Sequence, residues 1–85
     1  MNSSERINAI ASKITCNSYL EVGVQAGITF NAINTISHKV AVDPEFVFDY
    51  KNYESENVKF FQVPSDAFFQ SNKNKFDIIF FRRFA

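Results

Sequence analysis

Apolar residues recur at Ile7, Ile10, Ala11 and Ile14, a helical spacing inside an otherwise polar segment. The pattern predicts an amphipathic helix over residues 2–15, with Ser4, Arg6 and Lys13 turned away from its apolar face. Asn2 can cap this helix, and Glu5, three places on, can reach back in a capping box. Asn17-Ser18 breaks the period and introduces a short strand at 19–22. A second helix is expected over 29–36, where Phe30, Ile33 and Ile36 are spaced to face a sheet and Thr29 serves as cap or first-turn residue. A second strand at 39–42 ends at Asp43-Pro44, because proline cannot continue a central strand.

Residues 45–57 carry no clear period and read as a tyrosine-studded loop with a short helical turn. A third strand follows at 58–63. Pro64-Ser65 then opens a helix, with Ser65 as cap and Ala67, Phe68 and Phe69 on its apolar side. After a turn at 72–75, the nearly continuous apolar run at 76–81 predicts a fourth strand, buried on both faces of a parallel sheet. Strands alternating with helices indicate an α/β fold with right-handed crossovers.

Eighty-five residues make one small domain with a marginal core. Eleven phenylalanines and a hydrophobic share of 46% fit a globular interior rather than a disordered chain. Nine basic residues balance nine acidic ones, so no electrostatic footprint for nucleic acid or an anionic membrane is present, and the Arg82-Arg83 pair is too short to alter that. Cys16 stands alone, which excludes an internal disulfide and favours a reducing compartment. It reads as a small, partly buried residue rather than a nucleophile, and with a single His38 no metal constellation can be assembled. The polar N-terminus lacks a secretory core and no apolar run approaches spanning length, so a cytoplasmic protein is expected.

The candidate chemistry lies at the ends of the predicted strands. Glu21 precedes a turn containing Gly23 and Gly27, Asp43 closes the second strand, and Asp66 follows the third. In a parallel sheet these ends lie along one edge, where open α/β sheets bind their ligands. A carboxylate after the second strand can accept both hydroxyls of a ribose, one after the third can accept from an exocyclic amine, and one on the first can face an ammonium group. Each also has a plain reading: a solvated strand-end charge for Glu21, a turn residue for Asp43, a first-turn helix charge for Asp66. Their equivalent positions beside two glycines favour a nucleoside ligand with a positive amino-acid end. A dinucleotide fingerprint fits less well, since Gln25 and Ile28 hold the next two positions that need glycine, and no Gly-Lys-Ser/Thr phosphate loop follows the turn.

Four blocks in order carry a family resemblance: residues 20–30 (Leu-Glu-Val-Gly-Val-Gln-Ala-Gly-Ile-Thr-Phe), Val42-Asp43-Pro44, residues 65–69 (Ser-Asp-Ala-Phe-Phe) and residues 76–80 (Phe-Asp-Ile-Ile-Phe). Together, over about residues 19–80, they resemble the N-terminal, cofactor-binding half of a class I S-adenosylmethionine-dependent methyltransferase. The resemblance implies a Rossmann-like parallel sheet with flanking helices, here about four strands in the order 3-2-1-4. It implies that S-adenosyl-L-methionine lies against Gly23 and Gly27, with Glu21 holding its amino group, Asp43 its ribose hydroxyls and Asp66 near its adenine amine. Gln25 departs from the glycine common at that position. The family continues the fourth strand into Ile-Asp-Gly and further strands, where this chain has Phe81-Arg82-Arg83-Phe84-Ala85. The expectation is therefore a truncated domain, by premature stop or altered reading frame, with its acceptor side incomplete.

Three functions follow as expectations. The first is a methyltransferase-derived cofactor-binding half, its small-molecule methyl acceptor unidentified, its catalysis in doubt and no catalytic residue nominated. Asp77 opens the fourth strand at the end away from the cofactor edge and reads as structural. The second is a non-catalytic remnant or interaction module that completes its sheet with a partner, or self-associates through the 76–81 edge. The third is a fragment of a nicotinamide-dinucleotide oxidoreductase.

Overall fold

The structure is a computed structural model and describes residues 2–82. Met1 and the Arg83-Phe84-Ala85 end lie outside the described residues. Four strands, β1 (Ser18–Val22), β2 (His38–Val42), β3 (Val58–Phe61) and β4 (Ile78–Phe81), pair in parallel in the order β3-β2-β1-β4. The register places Leu20 beside Val40 and Ile79, and Val40 beside Lys59. Helices α1 (Ser3–Lys13), α2 (Ile28–Ala32) and α3 (Ser65–Ser71) flank the sheet, and a 3-10 turn spans Tyr50–Tyr53.

Strand alternation sorts the core into two faces. On one, Tyr19, Ala41 and Phe60 pack with Ile7 and Ala11 of α1, with Phe30 of α2, with Ile33 and Ile36 beyond it, and with Phe46. On the other, Leu20 and Val42 pack on Phe68 of α3. The chain steps from β1 to β2 to β3 on the first face and returns from β3 to β4 on the second. Crossing opposite faces while travelling in opposite directions keeps the crossover hand constant. The 43–57 connection covers the first face without an α-helix. Its Phe46, Phe48 and Tyr50 gather around Phe60, with ring centroids 4.7 to 5.9 Å apart, so an aromatic cluster fills the place a crossover helix would take.

Several boundaries differ from the sequence expectation. The capping box forms as read: Asn2 Oδ1 accepts from Glu5 N and Glu5 Oε1 accepts from Asn2 N. The helix nevertheless covers 3–13 rather than 2–15, and Ile10 and Ile14 are half exposed, because only Ile7 and Ala11 reach the sheet. α2 ends at Ala32 rather than 36. Lys39 Nζ, buried, takes the Phe30 and Ile33 carbonyls at 2.8 and 3.0 Å, and the Asn8 amide takes the Ala32 carbonyl at 3.0 Å. With its last carbonyls claimed, the chain extends from Ile33 while Ile33 and Ile36 still reach the core. Pro64, not Ser65, occupies the cap position of α3, and of its apolar residues only Phe68 is buried. β4 is buried on one face alone: Ile78 and Phe80 pack on the core, whereas Ile79 is 47% and Phe81 60% exposed.

Candidate functional site

At the carboxyl edge of the sheet, the backbone between β1 and α2 turns through the left-handed region three times, at Gly23 (φ 85°), Gln25 (φ 56°) and Gly27 (φ 79°). Glycine adopts such angles freely, but Gln25 does so at a cost of about 1 kcal/mol. Two hydrogen bonds hold it there: its N–H donates to Asp43 Oδ2 at 2.8 Å, and its carbonyl accepts from Val47 N at 3.1 Å. Asp43 Oδ1 accepts from Glu45 N at 2.8 Å, so one carboxylate ties the 23–27 turn to the chain leaving β2. At Gly27 space as well as angle demands glycine, because an added Cβ would stand 2.7 Å from the Phe48 ring.

Glu21 is 0% exposed and lies on the face covered by α1 and α2. Its Oε1 accepts the Tyr19 hydroxyl at 2.7 Å, while Oε2 is buried with no partner. Burial pushes the carboxyl up to about 7. The Tyr19 hydrogen bond and the positive charges of Arg82 and Lys39 act in the opposite direction. The same burial drives the Tyr19 phenol up and the Lys39 ammonium down, the latter partly offset by Glu21. Arg82, just past β4, donates from its backbone N to Val22 O at 2.9 Å and from Nη2 to Thr29 Oγ1 in the first turn of α2.

The structure thus gathers Glu21, Gly23, Gly27 and Asp43 at the carboxyl edge of β1 and β2, the first buried beneath α2 and Asp43 only 4% exposed. Asp66 is exposed in the first turn of α3, which packs on the opposite face of the sheet from α1 and α2. Asp77 sits at the other edge, where its Oδ2 accepts from Asn17 N and Ser18 N at 2.8 and 3.2 Å. Cys16 is partly buried, and burial with the nearby Asp77 charge pushes its thiol up. Sequence reasoning passed over Tyr19, Lys39 and Arg82. Strand parity held the signal, since Lys39 shares its face with Ala41, and Arg82 shares its face with Ile78 and Phe80.

A concavity of about 410 Å³ between β3 and α3 is lined by Phe61, Val63, Ala67, Phe68, Ser71 and Asn72, and by none of the five predicted site residues. Among the described residues, no group of three or more His, Cys, Asp or Glu side chains is placed to hold a metal ion, and no helix is long and apolar enough to cross a membrane. Comparison with known proteins finds no family model, no curated protein and no solved structure that matches the chain.

Proposed function

We propose that this chain is the cofactor-binding half of an S-adenosylmethionine-dependent methyltransferase-like domain, acting in a reducing, cytoplasmic setting. The observation that carries the reading is the 23–27 turn. Three left-handed residues strapped by Asp43 sit outside the carboxyl end of β1, where the 3-2-1-4 strand order places the switch point between β1 and β4. Such a turn lets a ligand approach bare backbone. Each Asp43 oxygen uses one of its two lone-pair sites on a backbone N–H and keeps one for a ribose hydroxyl. The unpartnered oxygen of Glu21 suits the cofactor's ammonium group. Asp66, on its own exposed helix turn, is the weakest member of the set.

Methyl transfer is an in-line displacement at the sulfonium methyl carbon, helped chiefly by positioning of donor and acceptor. The donor side is what these residues provide. Calorimetry of the full chain with S-adenosylmethionine and S-adenosylhomocysteine tests the reading. Saturable binding of both, weakened at least tenfold by Gly23→Val with the circular dichroism spectrum unchanged, is expected. Absence of binding by a folded chain overturns it.

A second reading has its own observation: Ile79 and Phe81 stand exposed on β4, the edge strand beside β1, as in a module that completes its sheet with another polypeptide. It predicts folding that depends on the partner and no nucleoside binding.

A further inference from the structure

We infer that Arg82 is a latch from the end of β4 to the first turn of α2, and that the compact cation of a ligand displaces it and pairs with the unpartnered oxygen of Glu21. For the ligand's identity this rests on the cofactor reading above; the latch itself does not.

Arg82 continues the β4 ladder through its hydrogen bond to Val22 O, and its parity with Ile78 and Phe80 carries the side chain over the face that α2 covers. There Nη2 reaches Thr29 Oγ1, so the guanidinium bridges the end of β4 to the first turn of α2. Its Nε is buried and makes no hydrogen bond. Glu21, fully buried, holds an acceptor oxygen in the same condition. An arginine presents five donors, and among the described residues Thr29 is the one side-chain partner found for this one. Burying a donor and an acceptor unpaired opposes folding, and a group that pairs with one of them removes part of that opposition.

Arg82 and Lys39 are the two cations whose charges act on Glu21, from the end of β4 and from β2 respectively. Lys39 is not free to move toward it, because its ammonium is fixed between the Phe30 and Ile33 carbonyls and lies 4.5 Å from the Phe30 ring centroid. Among the described residues, the Arg82 side chain is held by one hydrogen bond, to Thr29. The threonine hydroxyl it releases and the unpartnered Glu21 oxygen suit an ammonium or an alkylguanidinium group, each a compact cation with several N–H donors.

The test uses the whole chain and N-ethylguanidinium, a truncated arginine side chain, at millimolar concentration and fixed ionic strength, with tetramethylammonium as a cation that cannot donate. Arg82→Ala is expected to melt lower than wild type and to be restored saturably by N-ethylguanidinium but not by tetramethylammonium. Wild type is expected to respond at least tenfold more weakly, and the Glu21→Gln/Arg82→Ala double variant not at all. If Arg82→Ala does not fold, Arg82→Met, which keeps the aliphatic stem and removes the guanidinium, is expected to show the same Glu21-dependent response. Absence of a saturable response in whichever of these folds, or an equal response when Glu21 is replaced, overturns the latch. S-adenosylmethionine is further expected to bind Arg82→Ala at least fivefold more tightly than wild type. Binding to neither chain, with N-ethylguanidinium still bound, removes the cofactor reading and leaves the latch. Equal binding to both removes the latch and leaves the cofactor.

Discussion

Tyr19 donates its phenolic hydrogen to Oε1 of Glu21 over 2.7 Å, two positions along the same strand and inside the same sealed face. Burial outweighs that bond and raises the carboxyl from 4.5 to about 7. Below the lower value both folded and unfolded chains hold the proton. Between the two values the unfolded chain releases it while the folded chain retains it. The stabilising contribution of protonated Glu21 is therefore complete in acid and is lost as pH rises toward 7. A shift of this size corresponds to about 3 kcal/mol. Glu21→Gln removes the titration, so wild-type stability relative to that variant should fall by roughly 2–3 kcal/mol between acid and neutral pH. Urea denaturation of both chains across that range measures the difference, and a flat difference contradicts the assignment.

Gly27→Ala meets two independent obstacles. Its φ of 79° costs an alanine about 1–2 kcal/mol, and the new methyl collides with the Phe48 ring and the Asn31 amide. Asn31 can swing its end away; the ring, packed on Phe46 and Phe60, cannot do so cheaply. We expect a loss of about 2–4 kcal/mol in total. Paired with Phe48→Ala, the glycine substitution should cost about 1–2 kcal/mol, the strain that remains once the ring is gone. Equal costs in the two backgrounds would show that the ring contributes nothing.

The residues that give this fold its order were legible for a simple reason: apolar periodicity and punctuation agree. Ile7 and Ala11, the 19–22 run, Phe30, the Asp43-Pro44 stop and Phe68 each mark an element that exists. What escaped depends on contacts distant in sequence. The early end of α2 is set by Asn8 from one side and Lys39 from the other, and neither leaves a mark within 29–36. Asp43 was legible as a strand-end carboxylate, but its two backbone partners, Gln25 and Glu45, are fixed by the turn it holds. In the sequence Glu21 reads as a group facing a ligand. That one of its oxygens is already taken by Tyr19 follows from strand parity, which places positions 19 and 21 on one face.

Asp43 should matter to stability whether or not a ligand is bound. Its two oxygens accept from Gln25 N and Glu45 N, both at 2.8 Å, inside a nearly closed environment. Hydrogen bonds to an ionised acceptor contribute about 1.5–3 kcal/mol each. Asp43→Ala should therefore cost about 3 kcal/mol or more, and it releases the strained Gln25 backbone. Asp43→Asn keeps one acceptor but turns an amide donor toward a backbone donor, and should cost nearly as much. Hydrogen exchange at the Gln25 and Glu45 amides locates the effect: exchange at both should accelerate in Asp43→Asn before global unfolding, and unchanged protection would detach Asp43 from the turn.

The outer edge of β4 and the flank beside it set the behaviour of the chain in solution. Phe81 is 60% exposed with its ring centroid 6.3 Å from that of Phe69, itself 41% exposed, and Ile79 stands 47% exposed on the same face. Among the described residues the strand pairs with β1 on one side only, which leaves alternate N–H and C=O groups of a short, uncharged strand available to another chain. No lysine lies on β4 and no bulge twists it away, two devices by which exposed edges are ordinarily protected. Sedimentation of the wild-type chain should show association that increases with concentration. Phe81→Lys places a charge on the exposed face without touching the partly buried Ile78 and Phe80, and should shift the distribution to monomer with little loss of stability. Ile78→Lys, by contrast, enters the core side and should unfold the chain. If wild type and Phe81→Lys sediment alike as monomers, the edge is silent, and the reading of this strand as a site of association fails.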